Sequence, residues 1–258
     1  MTDQKPPFLT AAAFDARHAF FTREGGVSTG PYESLNLKPG KGENPVNIDE
    51  NKRRMAAALN YSADSLTVLH QTCGSDVVIN PKPGLFQQEG DAIVTDRSGL
   101  AIGVITADCV PILLKDKVSG LIGACHGSRP GLIDGIIAKT VQAMLDLGGS
   151  SDPNQIEAAI GPCIHQDNYE VGPEIYDRFV ARDPALSGFF SAPHDDIGRR
   201  YLDLPGFADH LLRASGLKHI YDISLDTYSD PQRFFSYRRN THQSIPSFGD
   251  QLSVIVNH

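Results

Sequence analysis

The sequence has no tryptophan, and its four cysteines, Cys73, Cys109, Cys125 and Cys163, are widely spaced with no CxxC pair. That excludes a paired-cysteine motif and leaves each thiol to metal binding, catalysis or the core. There is no basic excess either. The 31 acidic against 23 basic residues give a net charge of -8, which repels a nucleic-acid backbone, so nucleic acid is not an expected partner. No apolar run reaches the length of a membrane-spanning helix, and the opening Met-Thr-Asp-Gln-Lys-Pro-Pro lacks a basic region followed by an apolar core. The expected setting is therefore the cytoplasm, away from membranes and with reduced thiols. No long polar low-complexity stretch, internal repeat or linker interrupts the 258 residues, whose 40% hydrophobic content suffices for a sizeable core. One folded domain over 1–258 is expected.

Apolar patterning in that domain switches between the periods of strand and helix. Strands are expected at 18–22, 67–71, 76–80, 91–95, 100–106, 110–114, 121–125, 156–160, 219–223 and 252–256. Helices are expected at 49–60, 132–147, 173–182 and 205–215. The strongest is 132–147, where Ile133, Ile136, Ile137, Val141, Met144 and Leu145 recur at helical spacing before Gly148-Gly149. A glycine- and proline-rich loop from Gly25 to about Asn47 is long enough to suggest a function.

The chemistry concentrates at Ala107-Asp108-Cys109, between two apolar strands, and at His126, which ends a third. Thiolate and imidazole are both zinc ligands, and a catalytic zinc needs three protein ligands with one position open. A third ligand is offered by His70 or Cys73, which face opposite ways if the strand stays regular. The competing reading makes Cys109 a small buried hydrophobe and His126 a hydrogen-bonded strand end. By alternation Cys125 points into the core. The loop Gly127-Ser128-Arg129-Pro130-Gly131 either holds a phosphate at a helix N-terminus with help from Arg129, or is an ordinary turn. Asp108 is either an acid or base beside the cysteine or a hydrogen-bonded strand-end carboxylate.

Longer blocks carry a resemblance. They are Phe20-Phe21-Thr22-Arg23-Glu24-Gly25-Gly26-Val27-Ser28, Ser34-Leu35-Asn36-Leu37, Asn51-Lys52-Arg53 and Glu89-Gly90-Asp91-Ala92-Ile93-Val94-Thr95. Further on come Ala107-Asp108-Cys109-Val110-Pro111, Ile160-Gly161-Pro162-Cys163-Ile164, Tyr169-Glu170-Val171-Gly172, Asp203-Leu204-Pro205 and Phe234-Phe235-Ser236-Tyr237-Arg238-Arg239. In this order, over nearly the whole chain, they resemble the laccase-domain family, also called the multicopper polyphenol oxidase or peptidoglycan-editing-factor family.

The resemblance implies an α+β fold of mixed β-sheets layered with helices, similar to bacterial deamidase toxins. It also implies zinc, with copper ranked lower for want of histidine-rich clusters. The implied activities are phosphorolysis of purine nucleosides (adenosine, inosine, guanosine, methylthioadenosine) and deamination of adenosine, with the nucleoside and phosphate as partners. Carried over by position, Cys109 and His126 are zinc ligands, and Cys73 stands where the family has its first histidine. Asp108, Cys109 and His126 become catalytic, and Arg129, Ser128 and Asp91 contact substrate. Three positions depart from the family pattern. Cys73 adds a second thiolate, His126-Gly127-Ser128-Arg129-Pro130-Gly131 lacks the tryptophan and shifts the arginine, and Phe248-Gly249-Asp250 exchanges an arginine for an acid. Two other functions stay open: a metal-free cysteine hydrolase using Cys109 and His126, and a divergent member that binds a nucleotide or a partner without turnover.

Overall fold

Strands in the centre of the chain are apolar on both faces, as layered sheets require. The fold, from a computed structural model describing residues 5–257, contains fourteen strands among those residues. They are β1 (Phe8–Leu9), β2 (Arg17–Phe21), β3 (Leu66–His70), β4 (Val77–Ile79), β5 (Gly84–Glu89), β6 (Ala92–Thr95), β7 (Ala101–Thr106), β8 (Val110–Asp116), β9 (Ile122–Gly127), β10 (Ile156–Ile160), β11 (Glu170–Val171), β12 (Arg200–Tyr201), β13 (His219–Asp222) and β14 (Gln251–Val256). The helices are α1 (Pro45–Leu59), α2 (Arg129–Ile133), α3 (Ile136–Asp146), α4 (Pro173–Arg182), α5 (Leu204–Ala214) and α6 (Tyr237–His242). The first four residues, on which the expected lack of a leader partly rests, and His258 lie outside the described residues.

Two mixed six-stranded sheets form, in the orders β1-β2-β14-β7-β3-β5 and β13-β10-β8-β9-β6-β4, and β11 pairs with β12 separately. Their inner faces share a core in which Phe20, Ile102, Val104 and Ile255 of the first sheet meet Ile93, Leu113, Ala124 and Ala159 of the second. The outer face of the first sheet packs on Ile48 and Met55 of α1. The outer face of the second, with Val110, Ile112, Leu114 and Cys125, packs against α2, α3, α4 and α5. The expected mixed sheets layered with helices are present. Among the described residues no helix is long and apolar enough to cross a membrane.

One expected helix divides. The apolar pattern runs through 132–147, but Gly135 adopts a left-handed φ of +87°, so the chain makes a short α2, turns, and restarts as α3. That turn suits glycine, which has no Cβ to strain. The strands β1, β5, β11 and β12 and the short polar α6 lie outside the expected elements.

Candidate active site

At the ends of β3, β7 and β9 lies a cavity of about 560 Å³. Of the residues singled out from the sequence, Cys73, Asp108, Cys109, His126, Ser128 and Arg129 line it, as does His70. Asp91 does not.

His70 and Cys73 both reach the cavity because the strand does not stay regular. The register of β3 against β5 shifts between Val68 and His70, the strand ends at His70, and Cys73 takes a left-handed φ of 59°. Beyond the strand, the Gln71 amide imitates a backbone: its Nε2 donates to Ile105 O and its Oε1 accepts from Ile105 N, each at 2.8 Å. The chain is thereby held to β7 while it turns Cys73 toward the cavity.

Asp91 is fully buried behind that turn. Its carboxylate accepts from Thr72 Oγ1 (3.0 Å), Cys73 N (3.0 Å), Gly74 N (2.7 Å) and Thr72 N (3.3 Å), and pairs with His126 Nδ1 at 2.7 Å. Burial alone would raise its pKa, but the hydrogen bond and charge of His126, then the Gly74 N–H and the Thr72 hydroxyl, hold it below the usual range. The expected substrate residue Asp91 lies outside the cavity lining, and its oxygens are engaged by the 72–74 turn and His126. With Nδ1 committed to Asp91, Nε2 of His126 is the nitrogen left for a ligand, an arrangement common behind metal-bound histidines.

Asp108 sits in the turn between β7 and β8 at φ 99°. Its carboxylate accepts from Thr227 Oγ1 (2.7 Å), Ser236 Oγ (3.0 Å) and Arg238 N (2.7 Å). Burial pushes its pKa up while these donors pull it down. Although Asp108 borders the cavity, both oxygens are occupied by protein donors, so it ties the turn to the segment before α6 and fixes Cys109 in place. Cys109 is partly open to the cavity. Its thiol pKa is pushed far above the ordinary value, first by burial and then by Cys73, Asp108, Asp250 and Asp91. Cys125 lies in the opposite core, as alternation predicts.

The loop after His126 enters the five-residue α2 and not the long helix. Ser128, almost wholly buried, caps α2 by accepting from Gly131 N at 3.1 Å. Of the two readings of this loop, a phosphate seat or an ordinary turn, the short helix with its end capped by its own serine favours the turn. Gly131 permits this close packing, since a Cβ there would lie 2.4 Å from Gly74 O. Arg129 still faces the cavity, where its Nη1 donates to Tyr169 Oη at 3.3 Å.

Two thiols and an imidazole suit zinc by donor chemistry, and Asp91 supplies the outer hydrogen bond such a histidine uses. The three candidate donors line one cavity. Among the described residues, however, no group of three or more His, Cys, Asp or Glu side chains lies close enough together to hold an ion. The residues fit the metal in kind.

Several cavity residues were not assigned from the sequence. The long glycine- and proline-rich loop contributes Lys38 and Pro39, and the segment around α6 contributes Tyr237 and Arg238. Arg238 Nη1 donates to Glu170 O at 2.7 Å, and its guanidinium lies 5.2 Å from the Tyr169 ring centre. Its neighbour Arg239 is spent on structure, donating to the carbonyls of Thr227, Tyr228 and Phe234. The Arg-Arg pair marked the segment, but nothing in the sequence said which arginine would face inward.

A family described as multi-copper polyphenol oxidoreductase laccase matches residues 17–258. The chain is 39% identical over 245 residues to a purine nucleoside phosphorylase of Deinococcus radiodurans, covering 95% of this chain and 92% of the relative. It is 34% identical to the purine nucleoside phosphorylase YfiH of Escherichia coli, covering 85% and 86%. Among solved structures, hypothetical protein YfiH of Bacillus licheniformis superposes with a TM-score of 0.84 at 26% identity, covering 93% of this chain and 92% of that one.

Proposed function

The chain belongs to the multi-copper polyphenol oxidoreductase laccase family, and we propose that it is a zinc-dependent purine nucleoside phosphorylase working as one cytoplasmic domain. Its substrates on this reading are adenosine, inosine, guanosine and methylthioadenosine, with deamination of adenosine as a second reaction. The observation that carries the proposal is a nucleoside-sized cavity in which Cys73, Cys109 and His126 share a wall with two arginines, Arg129 and Arg238. The names borne by its relatives support the same reading.

In phosphorolysis a phosphate oxygen attacks C1′ of the ribose and the bond from C1′ to N9 breaks. The bonding electron pair leaves with the purine, which gains a proton at a ring nitrogen. Arg129 and Arg238, grouped around Tyr169, supply the positive charge that would bind the phosphate dianion. Ser128 borders the same wall and Asp91 orients His126. Asp108 acts through the Arg238 backbone, which it anchors, and not as a proton carrier. Zinc held by Cys73, Cys109 and His126 would supply Lewis acidity toward the attacking oxygen, tempered by the second thiolate. Copper ranks lower because the cavity holds few histidines.

A metal-free cysteine hydrolase, the reading a deamidase-toxin likeness would favour, needs Cys109 as a thiolate. Burial, and then the neighbouring Cys73 and the surrounding acids, push that thiol's pKa up, which counts against it. The test is to incubate zinc-loaded protein with adenosine, with and without phosphate, and separate the products. Adenine formed only with phosphate supports phosphorolysis, and inosine in both reactions supports deamination. Neither product at stoichiometric zinc would overturn the proposal and leave a binding protein.

A further inference from the structure

Three buried carboxylates surround Cys109, and hydrogen-bond accounting separates them. Asp91 is saturated by the 72–74 turn and His126, and both oxygens of Asp108 are engaged by Thr227, Ser236 and Arg238. Asp250 lines the cavity, and its one side-chain partner is Lys38, whose Nζ lies 3.3 Å from Oδ2. That ion pair engages Oδ2 and leaves Oδ1 outside it.

The pair is built, not incidental. Asn36, fully buried, accepts through Oδ1 from the backbone N–H of both Lys38 (2.9 Å) and Asp250 (3.0 Å), and its Nδ2 donates to Lys38 O at 2.8 Å. One side chain thus clamps two segments more than two hundred residues apart in sequence. The Lys38 ammonium is further held 3.5 Å from the centre of the Phe248 ring. The surrounding cavity wall is apolar and aromatic, with Pro39, Phe86, Phe248 and Tyr237. Arg129 and Arg238 gather instead around Tyr169. Cys73 lines the same cavity as Lys38 and Arg129.

A cavity with an arginine pole and an apolar pole bearing one fixed donor and one fixed acceptor suits an anion at the first and a heterocycle at the second. We propose that the Lys38–Asp250 pair is the base-recognition element and selects guanosine over adenosine, with inosine between; this rests on the phosphorylase reading. The guanine edge carries the acceptor O6 beside two donors, N1–H and the 2-amino group. Lys38 donates to O6 while Asp250 accepts from the donors. Hypoxanthine keeps O6 and N1–H but lacks the amino group. Adenine offers one donor, its 6-amino group, beside the lone pair of N1, and in the orientation that suits guanine that lone pair meets a carboxylate. An edge that leaves a buried charged acceptor unsatisfied is rejected more strongly than one lacking an apolar contact.

The experiment compares kcat/KM for guanosine, inosine and adenosine with phosphate, in the wild type, Asp250→Asn and Lys38→Met. Calorimetric titration of guanosine and adenosine without phosphate runs alongside. The wild type should favour guanosine, and Asp250→Asn should lower the guanosine-to-adenosine ratio by about tenfold to a hundredfold, mainly through KM. Lys38→Met, whose site is partly exposed and so tolerant of change, should lower the same ratio. Wild-type turnover without a guanosine preference, or variants that weaken all three nucleosides equally, would overturn this inference alone. Absence of both turnover and nucleoside binding would overturn the phosphorylase reading as well.

Discussion

Asp91 and Asp250 are both buried carboxylates close to Cys109, yet the regions they belong to are organised differently. Asp91, outside the cavity lining, and Asp108, on it, have both carboxylate oxygens engaged by protein donors and form a back wall of hydrogen bonds. Asp250 has Lys38 as its ion-pair partner, and Arg129 donates one hydrogen bond to a tyrosine. The back wall spends its polar groups on rigidity, so that the second group can be presented to a ligand at fixed positions. Substitutions should therefore split: those in the back wall cost stability, and those in the second group cost affinity.

The largest break in that contrast should come from Asp91→Ala. It leaves the amides of Cys73 and Gly74, the Thr72 hydroxyl and His126 Nδ1 without their acceptor in a buried site. Urea denaturation should register a loss of about 3–5 kcal/mol, the usual consequence of orphaning a buried charge partner. A loss below about 1 kcal/mol would mean that the back wall is not the rigid element. Ser236→Ala should follow with about 1–2 kcal/mol, since Ser236 Oγ both donates to Asp108 and accepts from Arg239 N at 3.1 Å at the start of α6. On the cavity lining, Arg129→Met should change stability by no more than about 0.5 kcal/mol. Its expected effect is kinetic: the KM for phosphate rises about tenfold or more with the loss of a charged hydrogen-bond donor. Equal behaviour of Ser236→Ala and Arg129→Met in denaturation would erase the distinction.

The same contrast decides what the sequence reveals. Strands such as β7, β8 and β9 are legible because both faces are buried and the apolar run is continuous. β5 is not, because Gln87-Gln88-Glu89 sits at an exposed sheet edge where little constrains residue type. The break at Gly135 hides inside a helical apolar period, since periodicity reports which face is buried and is silent on whether the backbone continues through it. In the site, Cys109 and His126 stand out because their residue types are unusual at strand ends. Asp91 enters only through the resemblance, as a substrate contact, because nothing local shows that four donors from 72–74 converge on it. Lys38 and Asp250 meet only through Asn36 and tertiary folding, so their pairing has no sequence signature. Asp250 in isolation reads as a lost positive charge, whereas in the fold Lys38 returns one to the same place.

A carboxylate that belongs to neither region sets the lower end of the scale. Glu50, on the outer side of α1, receives Arg53 (2.8 Å) and Arg54 (2.7 Å) in an ion-pair cluster open to solvent. The hydrogen bonds from Arg53 and then Arg54 hold its pKa down at about 2. A carboxylate whose pKa is depressed by folding contributes stability above its unfolded value and loses it as pH falls toward the folded one. Solvent screening limits that contribution to about 0.3–0.5 kcal/mol. Glu50→Gln should therefore lower the melting temperature slightly at neutral pH, and the gap from wild type should close as pH falls from about 4.5 to 2. Added salt should shrink the gap as well, because the pair is exposed. Thermal melts across pH and salt would check both. A gap that persists at pH 2, or that ignores salt, would mean that Glu50 acts through packing of α1 and not through charge.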